Sequence, residues 1–260
     1  MIDLQEISFR RGERQILEGI NLRINPGEQW VLLGRNGSGK TTLLELITGY
    51  QFPSSGTVNV LGQQYGQCDI REVRRSIGYI SQSLLEKLTL RDPVWEVVAT
   101  GLYGFLRFYQ EIPEEAKAQA YARLDAMKLV RLAEQPLGAL SQGERKKILL
   151  ARALMANPRL LIMDEPCSGL DLYERERLLE ELGQLDRSKI TLIYVTHHVE
   201  EIVPVFTHAA LIQEGRLLGS GLKSEMVTAE RLSAVYGLPV QVQWADSRPW
   251  ITLNNGGITL

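Results

Sequence analysis

The stretch Gly34-Arg35-Asn36-Gly37-Ser38-Gly39-Lys40-Thr41 constrains this chain more than any other. It satisfies the pattern G-x-x-x-x-G-K-[ST] between an apolar run, Gln29 to Leu33, and a helical stretch from about Lys40 to Thr48. Glycines let the backbone curl so that successive N–H groups face one phosphate, and the helix N-terminus adds its dipole. In that reading Lys40 reaches the β- and γ-phosphates and the Thr41 hydroxyl ligates Mg²⁺. The bland alternative is a Gly-rich strand–helix turn. The strand before and the helix after supply the context the motif requires, and they commit the chain to α/β layering.

Short β-type runs alternate with helical stretches along most of the 260 residues. Residues 2–9 and 16–24 read as strands joined by a turn at Arg11-Gly12-Glu13. Further strands are expected at 57–61, Ile77 to Ser81, 160–164, 190–195 and 208–213, and helices at 172–185 and 198–203. Residues 84–156 differ, being rich in helical patterns, and are expected as an insertion. The tail predicts a helix around 229–236, capped by Thr228 and stopped by Gly237, then a half-buried strand through Val240, Val242 and Trp244.

Charge and cysteines exclude some functions. A net charge of −2 gives no electrostatic argument for a nucleic-acid partner. Cys68 and Cys167 have no metal-binding spacing and suit a reducing compartment. The amino terminus lacks the layout of a signal peptide, and apolar runs such as Leu160 to Met163 are too short to cross a bilayer. A membrane role is therefore expected only through a partner.

Leu160-Leu161-Ile162-Met163-Asp164-Glu165 is a buried-type strand ending in two acids. Acids at the carboxyl end of a parallel strand face the crevice where ligands sit. With a phosphate loop on a neighbouring strand, Asp164 would hold Mg²⁺ and Glu165 would act as general base toward water. A solvated acidic turn is the alternative.

Leu140-Ser141-Gln142-Gly143-Glu144 carries the S-x-x-E spacing of a capping box. Ile148, Ala151, Arg152 and Met155 follow on one face, and Asn157-Pro158 ends the helix. Yet Arg145, Lys146 and Lys147 crowd the turns where the macrodipole disfavours cations. An anion from outside the chain, or simple surface charge, would account for them.

With these motifs in order the chain resembles an ATP-binding-cassette ATPase along nearly its whole length. Gly34 to Thr42 matches Walker A, Gln82 the Q-loop, Leu140 to Glu144 the signature, and Leu160 to Glu165 Walker B. Ser168-Gly169-Leu170-Asp171 matches the D-loop and His197 the switch histidine. The resemblance implies that Gln82 contacts Mg²⁺ or the lytic water, that His197 touches the γ-phosphate, and that Asp171 communicates across a dimer. Asp171 also suits an N-cap for the helix at Leu172, and Gln82 could be solvated surface. The pair His197-His198 is not expected to bind metal, since neighbours on a helix do not face each other. Counting 23 residues back from Gly34 places Arg11 where the family carries an adenine-stacking aromatic. A guanidinium also stacks on a base. The signature departs from LSGGQ at Gln142 and Glu144, and Cys167 stands where Thr is common.

The implied fold is a P-loop NTPase with a RecA-like, mostly parallel sheet, a small antiparallel β region and an inserted helical subdomain. Residues 1–83 and 158–220 form the ATP-binding core, 84–157 the signature subdomain, and 221–260 a helix–strand extension. The extension looks like that of metal-chelate importer ATPases, and other features resemble the molybdate-related branch. The segment 94–109, with Trp95, Leu102, Tyr103, Phe105, Phe108 and Tyr109, reads as subdomain core or as a groove for a membrane partner's helix. The implied ligands are ATP and Mg²⁺. Bound phosphate would be contacted by Gly34, Arg35, Asn36, Gly37, Ser38, Gly39, Lys40, Thr41 and Thr42, and by Ser141 and Gly143 from a second copy. The expected partners are a second copy or a paralogue and an integral-membrane permease, with no direct nucleic acid. The chain would then lie in the cytoplasm against the inner face of the membrane. The alternative is a free-standing cassette serving iron–sulfur assembly or nucleic-acid remodelling.

Overall fold

The structure is a computed structural model describing residues 1–186 and 188–253; residues 254–260 of the expected extension lie outside the described residues. In chain order the strands and helices are β1 Ile2–Arg11, β2 Arg14–Ile24, β3 Gln29–Leu33, α1 Lys40–Ile47, β4 Ser55–Val60, β5 Gln63–Gln64 and α2 Ile70–Arg75. Then come β6 Ile77–Ile80, α3 Gln82–Lys87, α4 Val94–Ala99, α5 Glu114–Ala126, α6 Gln142–Ala153, β7 Leu160–Asp164 and α7 Leu172–Gly183. The last are β8 Thr191–Thr196, β9 His208–Gln213, β10 Arg216–Leu222, α8 Lys223–Met226, α9 Ala229–Tyr236, β11 Val240–Ala245 and β12 Arg248–Leu253.

The chain divides into two compact units, Met1–Ile70 with Glu181–Leu260, and Arg71–Glu180. In the first, β1 is paired antiparallel with β2 and β4. Alternation along β1 buries Ile2, Leu4, Ile7 and Phe9 on one face. A second sheet places β3 parallel between β8 and β9, with β10 antiparallel outside β9. Every residue of β3 and β8 is buried, as a strand covered on both faces requires. Leu43, Leu44, Leu46 and Ile47 of α1 supply part of that cover. The β11–β12 hairpin completes the unit.

In the second unit β6 and β7 pair in parallel, Ile77 opposite Leu160 through Ile80 opposite Met163. The remainder is helical around Val94, Val97, Val98, Leu124 and Ile148. The face expected on α6 is buried, including Arg152, whose Nε donates to Thr100 Oγ1 at 2.9 Å and whose Nη2 donates to the Phe105 carbonyl at 2.6 Å.

Several expectations are corrected. The turn between β1 and β2 narrows to Gly12-Glu13, with Arg11 closing the strand. The helix expected at 198–203 is a single 3-10 turn, Val199–Glu201. Two causes act there. Pro204 disfavours helical geometry at Val203, and the Glu201 carboxylate accepts from Tyr194 and Thr196 beneath it. Residues 103–109 are not core: Tyr103, Phe105, Leu106 and Tyr109 are exposed and Phe108 is half-buried, whereas Val94, Val97, Val98, Ala99 and Thr100 of that segment are buried.

Candidate nucleotide site

The phosphate loop leaves β3 at Leu33 and enters α1 at Lys40. Gly37 and Gly39 take φ of 79° and 103°, the region that favours glycine. A side chain at Gly39 would also come within 2.7 Å of Leu17 Cδ2 and 3.2 Å of the Ile16 carbonyl. Gly39 is the N-cap of α1 and offers no side-chain cap, so no capping oxygen offsets the positive end of this helix where it meets the loop. Buried Lys40 donates to the carbonyls of Gly34 at 2.8 Å and Arg35 at 3.1 Å, so its ammonium is held inside the curl of the loop. Ser38 Oγ is buried and has no hydrogen-bond partner among the described residues. A polar atom left that way costs stability unless a ligand satisfies it, and a phosphate oxygen fits the need. Thr41 is exposed and Thr42 half-buried. Arg11 lies over the outer face of α1, its Nη2 3.8 Å from Glu45 Oε2, with a largely exposed side chain.

Register places the next group. Leu33 of β3 pairs with Thr196 of β8, so Gly34 and His197 emerge side by side at one edge of the sheet. The rings of His197 and His198 lie 4.1 Å apart, in contact although they are sequence neighbours, because they sit on a bent loop and not on a helix. Among the described residues no cluster of metal-binding side chains forms there. The His198 amide donates to Thr196 Oγ1 at 3.0 Å, which holds the start of this loop.

The second unit repeats the device. Ile80 pairs with Met163, so Ser81-Gln82 and Asp164-Glu165 leave the same end of the β6–β7 pair. Ser81 caps α3 by accepting from the Leu84 amide at 3.1 Å. Gln82 thereby becomes the first residue of a helix, exposed at its mouth. Glu165 has φ of 47°, a left-handed conformation that a non-glycine residue adopts only when its surroundings impose it. Such strain concentrates at working sites.

The α6 terminus is a complete capping box. Ser141 Oγ accepts from the Glu144 amide at 3.2 Å, and Glu144 Oε2 accepts from the Ser141 amide at 3.1 Å. The Ser141 amide, with its hydroxyl and Arg131 assisting, holds the Glu144 carboxyl below its ordinary range against the opposing effect of burial. The three cations after it have partners inside the unit. Arg145 donates to the carbonyls of Leu137 and Gly138, Lys146 to that of Ser168, and Lys147 lies 3.5 Å from Glu174 Oε2. Gly143 is buried, and a Cβ there would come within 2.6 Å of the same Glu174 oxygen. A Cβ on Gly169 would meet Gln142 Oε1 at 2.7 Å. Asp171 caps α7 through the Glu174 amide at 2.8 Å. Signature and D-loop are thus packed into one body, and Gln142, the departure from the usual glycine, is part of the joint.

Sequence reasoning missed the supports of the first unit. The Gly215 amide donates to the Ser38 carbonyl at 2.9 Å, and its own carbonyl accepts from Glu18. Glu214 and Gly215 both take positive φ, the turn that closes a two-residue hairpin, so Glu-Gly was the available signal for the β9–β10 pair.

A glycine-lined loop entering an open helix N-terminus, with a buried lysine curled inside it, defines a nucleoside-triphosphate-binding protein of the P-loop class. The ABC transporter family matches residues 17–168. The ABC transporter ATP-binding protein YlmA of Bacillus subtilis is 39% identical over 255 residues, 97% of each chain. Nod factor export ATP-binding protein I of Burkholderia thailandensis is 32% identical over 88% of this chain and 73% of its own. The sulfate/thiosulfate import ATP-binding protein CysA of Bradyrhizobium diazoefficiens is 34% identical over 93% and 71%. Among solved structures, the inward-facing conformation of a transporter classed as metal-chelate type superposes with a TM-score of 0.80 at 25% identity, covering 97% and 96% of the two chains. The dimeric post-hydrolysis cassette MJ0796 bound to ADP and phosphate gives 0.73 at 25% identity over 85% and 98%. This chain belongs to the ABC transporter family as an ATP-binding subunit, and it is an ATPase.

Proposed function

We propose that the chain is the motor of an importer whose permease is a separate membrane protein. The observation that carries this reading is an exposed aromatic groove of about 610 Å³ lined by Tyr103, Phe105, Leu106, Phe108 and Tyr109. A patch of that kind on a water-facing unit marks a docking site, and an apolar helix end from a permease fits it. No described helix is long and apolar enough to cross a membrane, so such a partner would hold the chain at the inner face of the membrane. Similarity to the sulfate/thiosulfate import ATP-binding protein CysA supports import, although relatives named for export also occur.

Residues 1–83 and 158–220 act as the ATP-binding core, 84–157 as the signature subdomain and 221–260 as an extension. Gly34 to Thr42 bind the phosphates, Lys40 the β- and γ-oxygens, and Arg11 stacks on the adenine. Thr41, Gln82 and Asp164 offer the hard oxygen donors that Mg²⁺ takes, and the ion when bound neutralises charge on the phosphates. Glu165 accepts the proton of the attacking water, and His197 steadies the γ-phosphate. Two copies, or this chain and a paralogue, close head to tail, so that Ser141 and Gly143 of one contact the nucleotide held by the other. Hydrolysis reopens the pair and moves the permease.

Two experiments test this. Glu165→Gln keeps the size and removes the base, so with ATP and Mg²⁺ it is expected to elute as a dimer on gel filtration; a monomer refutes the shared site. Co-purification is expected to recover a multi-span permease, and Phe105→Glu with Tyr109→Glu to lose it. Recovery of a soluble scaffold or RNA in its place overturns the transport reading.

A further inference from the structure

The C-terminal helix and hairpin reach the loop that carries the switch histidine. Tyr236, on the last turn of α9, donates its hydroxyl to the His197 carbonyl at 3.0 Å. Arg248, opening β12, donates its Nε to the Glu200 carbonyl. These two carbonyls bracket the bend between β8 and the 3-10 turn. The inner side of the bend is fixed separately, by Glu201 accepting from Tyr194 at 2.8 Å and from Thr196 at 2.7 Å. Burial, with Glu200 and Glu201 nearby, pushes the Tyr236 phenol well above its ordinary value, so it remains a donor throughout the working pH range. The end of the same helix comes near the Arg35 side chain: a Cβ at Gly237, φ 69°, would lie 3.6 Å from its Nη1.

We propose that α9 and the β11–β12 hairpin form a strap that positions the switch histidine, with Tyr236 and Arg248 as positioning residues. The strap sets the hydrolysis rate and leaves nucleotide affinity nearly untouched. This rests on the reading of His197 as the γ-phosphate contact. Neither residue touches nucleotide in this scheme; each acts by holding the backbone from which the imidazole projects, and a small misplacement of a reacting group costs rate steeply.

Tyr236→Phe removes one hydroxyl and leaves the ring packed, so the full chain is expected to fold as before, checked by thermal denaturation. Its kcat for MgATP is expected to fall roughly fivefold, the factor carried by one lost hydrogen bond, with KM within about twofold. Exchange of the backbone amides of residues 198–202 is expected to quicken by a similar factor, a readout that needs no turnover. In a His197→Ala background the same substitution is expected to leave the residual rate unchanged. Unchanged kcat and unchanged exchange in Tyr236→Phe, beside a strongly slowed His197→Ala, overturn the strap and spare the reading of His197. A full-rate His197→Ala removes that reading and the strap with it. An undiminished fivefold loss in the His197→Ala background shows that Tyr236 acts elsewhere, and refutes the proposal.

Discussion

Ser141 caps α6 and, in the proposed dimer, contacts the nucleotide of the other copy; a pair of substitutions separates the two. Its Oγ accepts from the Glu144 amide at 3.2 Å and completes the cap of α6. Its hydroxyl proton is donated to Glu144 Oε2 at 3.1 Å, and in the proposed dimer that donor turns instead to a γ-phosphate held by the other copy. Ser141→Ala deletes the cap and this donor together. Glu144→Ala deletes the return half of the capping box, the 3.1 Å contact to the Ser141 amide and the 2.9 Å pair with Arg131, but keeps the serine. Each variant is expected to destabilise the helix by about 1 kcal/mol, the usual effect of a lost cap. They diverge in dimer strength. A hydrogen bond to a charged group contributes about 1.5–3 kcal/mol, and head-to-tail closure makes the contact twice, so Ser141→Ala loses about 3–6 kcal/mol of dimer free energy. That is roughly a 10²- to 10⁴-fold rise in the dimer dissociation constant. The assay is sedimentation velocity with ATP and Mg²⁺ in the Glu165→Gln background, where hydrolysis does not dissolve the dimer. If the two variants dissociate within about threefold of each other, Ser141 is a helix cap and nothing more.

Gly39→Ala places a Cβ at φ 103°, 2.7 Å from Leu17 Cδ2. The expected loss is about 2 kcal/mol, from left-handed strain and the contact together, read as a Tm lower by ~4–8 °C, with ATP binding lost in isothermal titration. The capping-box carboxylate gives a pH dependence. The carboxyl of Glu144 is depressed in the folded state, so its contribution to stability is present above the ordinary glutamate value of 4.5 and fades as pH falls through the depressed one. The Tm gap between the protein and Glu144→Gln is therefore expected to be open at about pH 7 and to close in acid; a gap of constant size across the titration removes Glu144 from the account.

What the sequence revealed was local. The phosphate loop, the Ser141–Glu144 box, and the Thr228 and Gly237 caps of α9 all declare themselves within a few residues, because backbone conformation and first-turn hydrogen bonds are decided at that range. What escaped depends on distant partners. The strand β10 carries Gly219 and Gly221 in its interior, so no β pattern is visible in Arg216 to Leu222 until β9 pairs with it. The helix expected from His198 was undone by a buried Glu201 whose donors sit on the preceding strand. Exposure of Phe105 and Tyr109 cannot be read from composition, since an aromatic run looks the same in a core and on a surface. The cations of α6 admit either an external anion or surface charge from the sequence alone; the carbonyls of Leu137, Gly138 and Ser168, with Glu174, that they meet come from elsewhere in the chain.

The pairing of Leu33 with Thr196 gives His197 an address measured by counting. Two strands leave the sheet abreast, so the histidine emerges beside Gly34 of the phosphate loop only if β8 has the right number of residues before it. Replacing one apolar side chain of β8 by another of similar size leaves that count intact, whereas deleting a single residue turns every later side chain to the opposite face and withdraws the imidazole by about 3.3 Å. In this part of the molecule chain length is therefore held more tightly than residue identity. Apolar exchange within β8 keeps the address so long as no residue is gained or lost between Thr191 and Thr196 and the Tyr194 and Thr196 hydroxyls that hold Glu201 stay in place.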